Sequence, residues 1–470
     1  MKLIIFALIP LILSISIIPA FAVQHDLMSP YQQMKNGVAA EDVQCKELFK
    51  LMIRPNGNPA CVDIKSIHPL EFWDWTLKIT TDINKLDGLN WYEPENRNLG
   101  FRNIDKVVPY PLEISKGSGP VHEFGSDPQD LSKIQIEYYD EIITLDEYLE
   151  RSHTDAFLVL KGNDIVYEKY LRMDPNERHH IQSTSKTIVS ALLGNYVVNG
   201  DVDLNKKMKE YFPDIGSGYA EATLQQVLDM HVTNEFSFDF DDPNAHIHQY
   251  EVAAGFKPDI ENKWPDGHRG FIKTNIASVD TTGKELSQYQ DPNTDIGAWI
   301  LEDTTGEKYY TLFEERIYQH LGAEQDAMVV TDVQGNAFAA GGWQMTLRDL
   351  ARYASVWMNE GIAPDGERVI PLEWVNELRD ATKGPYYKGY EEINIRYHNM
   401  MTTDGIFLAH AGWAGQFLYV DPDAKVAYVM FSSLTEANGG VAEDKTAMYE
   451  VGMAISDYFT DKYHGSYLTN

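Results

Sequence analysis

Ser183 and Lys186, in the run Ile181-Gln182-Ser183-Thr184-Ser185-Lys186-Thr187, carry the first chemical signal in this chain. Residues three apart lie on one face of a helix, so the hydroxyl and the amine point the same way. If that face is partly buried, desolvation lowers the lysine pKa, and a neutral amine becomes available to accept the serine proton. A helix N-terminus at the same place adds partial positive charge where an oxyanion would develop. This is the equipment of serine acyl transfer. Alone it is a weak signal, since Ser-x-x-Lys also occurs by chance on solvated helix faces.

Two further runs strengthen it. Tyr289-Gln290-Asp291-Pro292-Asn293-Thr294-Asp295 places a phenol on a loop ahead of the apolar helical stretch Ile296 to Leu301. His410-Ala411-Gly412-Trp413-Ala414-Gly415-Gln416 is a glycine-rich strand edge, where backbone can approach a ligand closely because Cβ atoms are missing. Serine with lysine, then tyrosine, then His-x-Gly, in that order, is far harder to obtain by chance than any one of them.

On these motifs the chain resembles the penicillin-recognising serine hydrolases, and within them the class C β-lactamase-like branch that includes 6-aminohexanoate-dimer hydrolases. The resemblance covers roughly residues 85 to 460. It also uses Thr154 to Leu160, Arg178 to Lys186, Leu228-Asp229-Met230 and Thr346 to Arg352. It implies an α+β, β-lactamase/transpeptidase-like fold: an antiparallel sheet flanked by helices, plus an all-helical lobe, with the site between them. It implies Ser183 as the acylated nucleophile, Lys186 as its partner in proton transfer, and Tyr289 as the second base and the acid toward the leaving group. His410, Gly412, Trp413, Asp291 and Trp343 are the substrate-binding candidates. The oxyanion hole would use the Ser183 N–H and one N–H near Trp413 or Ala414.

The pattern departs from the family in two places. Asp291 stands two residues after the tyrosine, where Asn or Ser is common, and its charge would repel an anionic substrate. His410-Ala411-Gly412 replaces Lys-Thr-Gly, which removes a cation that would bind a β-lactam carboxylate, so efficient β-lactamase activity is not expected.

These residues need elements to hold them. Thr144 with Glu147 has capping-box spacing and starts a short helix. Ala156 to Leu160 and Ile165 to Tyr170 read as a hairpin around Gly162-Asn163-Asp164. Ser183 to Val198 reads as a helix stopped at Asn199-Gly200; Ile406 to His410, Gln416 to Val420 and Val426 to Ser432 read as strands, and Val441 to Tyr458 as a closing helix. One sheet built from both ends of a domain spanning 85–465 is expected, with a helical lobe inserted at about 185–400.

The first 22 residues read as a signal peptide: Lys2, the apolar run Leu3 to Phe21, and small residues at Ala20 and Ala22, with cleavage before Val23. The alternative, an uncleaved anchor, is disfavoured by Pro10 and Pro19. The protein is therefore expected outside the cytoplasm, with no stable membrane association after cleavage. Cys45 and Cys61 are the chain's only cysteines; they lie in the N-terminal segment 23–84 and are expected to pair there as a disulfide. With 39 Lys+Arg against 71 Asp+Glu, the net charge of −32 argues against nucleic-acid partners and anionic membrane surfaces. With 43% apolar residues the chain can bury a core, which excludes wholesale disorder.

Other clusters are read without chemistry. His246 and His248 near Asp239, Asp241 and Asp242 could share a strand face as metal ligands, but polar loop residues are the simpler reading and no metal is assigned. Among Tyr250, Trp264, Trp299 and Trp343, core packing is the default; Trp343, beside Gly341 and Gly342, and Trp413 have the best claim to a cleft. Arg348-Asp349 reads as solvated helix charge, and Asp229-Met230 as a helix end. The expected function is a secreted serine hydrolase of a small amide or ester, needing no cofactor. The alternatives are an esterase or D-amino-acid peptidase of the same fold, or a non-catalytic binding protein that has kept it.

Overall fold

The computed structural model describes residues 27–46, 48–71, 73–240, 242–279, 288–391, 393–436 and 442–460. The expected signal peptide, Asp241 and Val441 lie outside the described residues. The chain forms two compact units: the described part of Met1–Asp63 with Leu70–Lys78, and Ile64–Pro69 with Ile79–Asn470.

In the smaller unit Phe49–Ile53 is the central strand of three, flanked antiparallel by Pro59–Asp63 and Thr76–Leu77. The helix Pro30–Lys35 begins with a capping box in which Ser29 and Gln32 satisfy each other's backbone N–H groups. Cys45 and Cys61 form a disulfide across 16 residues of sequence. Closing a loop of this size stabilises by about 3 kcal/mol through the unfolded state. Reduction is therefore expected to lower the unfolding temperature of the smaller unit, seen as a separate shift in calorimetry with and without a phosphine reductant. A superimposable trace would mean that its sheet holds without the bridge.

The larger unit is organised by an eight-stranded sheet, whose strands in chain order are β1 (Gly125–Ser126), β2 (Thr154–Lys161), β3 (Asp164–Tyr170), β4 (Arg396–His398), β5 (Met401–Thr403), β6 (Leu408–Gly412), β7 (Gln416–Asp421) and β8 (Val426–Ser432). Their spatial order is β4-β5-β6-β7-β8-β2-β3-β1, antiparallel except for β1 against β3. The central strands are apolar on both faces, because alternate side chains feed two cores. Leu158, Leu418 and Val429 join Leu350, Ala354 and Trp357 of the helix Leu347–Met358 on one face. Phe157, Tyr419 and Tyr428 join Tyr449, Val451 and Ile455 of the helix Ala442–Thr460 on the other. The helix Leu145–Arg151, capped by Thr144 and Glu147, also covers this second face.

Between β3 and β4 the chain is mostly helical, but it also contributes to a second sheet. His179–His180, Trp343–Met345, Ala327–Val330 and Pro111–Ile114 pair antiparallel in that order. The expected all-helical insertion thus carries strands, too short and too apolar on both sides to show a period in sequence.

Arg348-Asp349 is corrected from solvated charge to a structural network. Asp349 is fully buried at the start of its helix, accepting from the Thr346 hydroxyl (2.8 Å), the Glu324 N–H (2.7 Å) and Arg352 (2.8 Å). Arg348 reaches Glu168 of β3 at 2.8 Å.

Candidate active site

The backbone delivers Ser183 on a strained, pinned turn. Gln182 has φ of 48°, in the left-handed region that non-glycine residues avoid. The turn is held from two sides. The Ile181 N–H donates to the Trp343 carbonyl at 2.9 Å in the small sheet. On the other side β6 packs so closely that a Cβ on Gly412 would lie 2.9 Å from the Ile181 carbonyl oxygen and 3.0 Å from Gln182 Cβ. Only glycine permits that approach.

Ser183 lies in a 3-10 turn, Gln182–Ser185, and the α-helix proper begins at Lys186 and runs to Val198. In a 3-10 turn residues three apart eclipse. The Lys186 ammonium nitrogen accordingly stands 3.0 Å from Ser183 Oγ. Lys186 is fully buried, whereas Ser183 is partly open to solvent. Burial pushes the Lys186 pKa below its ordinary value, against the opposing pull of Asp291 and, more weakly, Asp295.

The helix Asp291–Thr305 supplies that anion. A Cβ on Gly297 would come within 2.8 Å of Val189 on the serine helix, so the two helices meet closely there, and Asp291, in the first turn, faces the amine. Lys186 Nζ donates to Asp291 Oδ1 at 2.7 Å and to the Ala340 carbonyl at 2.7 Å. The Ala340 segment is held by the same helix, because its N–H donates to Asp295 Oδ1 at 3.2 Å, while Asp295 Oδ2 accepts from the Tyr250 hydroxyl at 2.6 Å. Burial raises the Asp295 pKa to about 6.

Tyr289 stands with its ring centroid 5.0 Å from Lys186 Nζ, and its hydroxyl within hydrogen-bonding reach of Ser183. Burial and the Asp291 charge hold its pKa well above the ordinary phenol value, so Tyr289 is a neutral O–H at physiological pH. Edge-on contacts with Phe238 (5.4 Å) and Tyr397 (6.1 Å) fix its ring.

The remaining sequence candidates divide. His410, on β6, is buried with both ring nitrogens engaged inside the protein: Nδ1 donates to the Ala411 carbonyl at 2.8 Å, which leaves Nε2 to accept from the Tyr397 hydroxyl at 3.1 Å. Burial and the nearby Lys186 charge lower its pKa to about 3, so it carries no cation in place of the family's lysine. Trp413 is partly buried at the turn after β6, with the Arg97 guanidinium 4.1 Å over its ring and Phe240 beside it at 6.1 Å. Asp291 is directed at Lys186, so its charge is compensated within the protein.

Trp343 is corrected: it is a strand residue, fully buried against Phe313 at 4.6 Å and Tyr309 at 6.1 Å. The neighbouring glycines serve close packing, not exposure; a Cβ on Gly342 would meet the Phe338 carbonyl oxygen at 2.7 Å. His246 and His248 lie in the helix His246–Ala253, where residues two apart diverge, and among the described residues neither joins a group able to hold a metal. Asp229, read only as a helix end, accepts from His398 Nδ1 (3.0 Å) and the Asn399 N–H (2.9 Å), tying the helical region to the β4–β5 turn. Sequence reasoning missed the Ala340 carbonyl and Tyr397. The first is a backbone atom of an unremarkable residue, and the second lies more than a hundred residues from Tyr289 with no motif around it.

The sequence model of the family described as Beta-lactamase matches residues 144–453. A 6-aminohexanoate-dimer hydrolase of Paenarthrobacter ureafaciens is 34% identical over 236 residues, which are 50% of this chain and 59% of that protein. The match thus spans less than two-thirds of that relative's length. Among solved structures, a Bacillus anthracis protein provisionally named a 6-aminohexanoate-dimer hydrolase superposes with a TM-score of 0.69 at 24% identity, covering 81% of this chain and 98% of its own. EstCE1, described as a hydrolase with promiscuous acyltransferase activity, superposes with a TM-score of 0.50 at 11% identity, covering 66% of this chain and 96% of its own. These superpositions establish the β-lactamase/transpeptidase-like fold.

Proposed function

Because this chain belongs to the β-lactamase family of hydrolases, we propose that it cleaves a small amide or ester by way of an acyl-enzyme on Ser183. The observation that carries the proposal is the set of three oxygens around Lys186 Nζ. Asp291 Oδ1 and the Ala340 carbonyl can only accept, so they take two N–H bonds of the amine. The third tetrahedral direction points at Ser183 Oγ. When Lys186 is neutral, that direction holds its lone pair, aligned to receive the serine proton.

Attack by Oγ on the substrate carbonyl then leaves Lys186 as an ammonium paired with Asp291. Tyr289, a neutral phenol beside the serine, donates its proton to the departing nitrogen or oxygen and is reprotonated from Lys186. Water, activated in the reverse sense, releases the acid. The oxyanion would rest on the Ser183 N–H and an N–H of the turn after β6, which the Gly412 contact holds against the serine turn. Since His410 is neutral, the substrate needs no carboxylate at that place. The name of the Paenarthrobacter relative favours a linear amide as the first compound to try.

We also place the protein outside the cytoplasm. The N-terminal leader pattern and the Cys45–Cys61 disulfide support this.

The test is intact-protein and peptide mass spectrometry after incubation with a fluorophosphonate. A single adduct on the peptide holding Ser183, absent in Ser183→Ala, is expected. An unchanged mass in excess reagent, from folded protein, would reject the acyl-enzyme in favour of a binding protein that has kept the fold.

A further inference from the structure

The helix Arg97–Arg102 lies ahead of residues 144–453, where the family match falls, yet it packs against both segments that build the site. Arg97 and Phe101, one helical turn apart, both meet the Trp413 ring. The Arg97 guanidinium carbon stands 4.1 Å from the centroid of that ring, and the Phe101 ring meets it edge-on at 6.0 Å. Phe101 also meets His179 edge-on at 5.3 Å, on the strand that leads into Ser183.

Trp413 opens a turn that needs outside support. The Gly415 N–H closes the turn on the Gly412 carbonyl at 3.2 Å. Ala414, inside it, has φ of 60°, a left-handed value that an L side chain resists and that persists only where the surroundings over-determine it. Gln416 Nε2 donates to the Ser432 carbonyl at 2.7 Å and lies 3.3 Å from the Ala414 carbonyl oxygen. The Leu434 N–H donates to the same Ala414 carbonyl at 3.2 Å. Arg97 fixes Leu434 in turn: its Nη1 donates to the carbonyls of Leu434 and Glu436, the latter at 3.1 Å, and its Nε donates to the Tyr92 carbonyl at 3.1 Å. The planar guanidinium thus gives its edge to backbone carbonyls and its face to the indole, which a lysine ammonium cannot do.

We propose that Arg97 is a positioning residue that holds the Trp413–Ala414 turn where a backbone N–H of that turn meets the developing oxyanion. The inference rests on the acyl-enzyme reading above. An oxyanion donor acts at hydrogen-bond distance from the place where charge develops, so displacing the turn weakens binding of the transition state and spares that of the ground state. Arg97 itself is 1% exposed and acts only through Trp413 and Leu434.

The experiment compares the full-length wild type, Arg97→Lys and Arg97→Gln with Arg102→Lys, a control on the same helix whose guanidinium pairs with Glu177 at 2.8 Å. Each protein is assayed on p-nitrophenyl acetate, labelled with a fluorophosphonate and unfolded by heat. Both Arg97 variants are expected to lose about 10–100-fold in kcat and equally in kcat/KM, with KM unchanged and with labelling slowed in parallel. Arg102→Lys should keep the wild-type kcat. A purely structural role would lower the unfolding temperature without this split between kcat and KM. Wild-type kcat in both Arg97 variants would overturn the inference, and so would an equal loss in Arg102→Lys, which would trace the effect to the helix as a whole. Failure of both Arg97 variants to fold, with Arg102→Lys folded, would make Arg97 structural and overturn it too. A wild type that takes no label on Ser183 is a separate result: it rejects the acyl-enzyme itself, and the inference falls with it.

Discussion

Lys186→Met is expected to abolish turnover and, at the same time, to destabilise the larger unit by about 3–5 kcal/mol, because it leaves a buried carboxylate without its partner. The amine is fully buried and 2.7 Å from Asp291 Oδ1, so the pair stands or falls together. Sequence alone gives no hint of this cost; a serine–lysine pair on a helix face reads as catalytic equipment separable from the fold. The second half of the expectation is rescue. In Lys186→Met with Asp291→Asn both charges are gone, and the neutral pair should recover most of the lost stability while remaining inactive. Denaturant unfolding of the wild type, both single variants and the double variant measures the coupling. A Lys186→Met protein as stable as the wild type would show that the ion pair is not formed.

Asp291→Asn by itself carries the sign of the electrostatics. Lys186 acts as a base only when neutral, so kcat/KM rises with pH through its pKa. Burial lowers that pKa and the Asp291 charge raises it. Removing the charge lowers it further, and the acid limb of the profile should move to lower pH by about one unit or more. A limb that moves upward would mean that Asp291 does not act on the amine.

Tyr289→Phe is expected to separate substrates by leaving group. An amide nitrogen must be protonated to depart, whereas p-nitrophenolate leaves without help. Loss of the phenol should therefore cost about 10²–10⁴-fold in kcat on an amide and about tenfold or less on a p-nitrophenyl ester. The phenylalanine ring keeps the contacts with Phe238 and Tyr397, so stability should hold. Equal losses on both substrates would instead make Tyr289 the base that activates Ser183. The raised pKa of the buried phenol argues against that, since a base would have to be the phenolate.

Local patterns announced the elements that carry the site. The hairpin of β2 and β3, the strands β6 to β8, the Thr144 capping box and the helix after Ser183 were all legible, because each is a short-range consequence of side-chain period and turn chemistry. Trp343 and Arg348-Asp349 were misread for one common reason. A glycine or a charge looks like surface in one dimension, yet close packing and buried ion networks need the same residues.

What the sequence determined by itself is the set of reactive groups and their order along the chain: Ser183 and Lys186 three apart, Tyr289 ahead of a helix, and a glycine strand ending at Gly412. Tertiary structure alone decided what those groups are worth. It brought Asp291 and the Ala340 carbonyl onto the two spare hydrogens of Lys186 and made His410 a neutral core residue. The physical reason is that proton affinity depends on burial and on neighbours within a few ångströms, and those neighbours come from residues a hundred or more positions away.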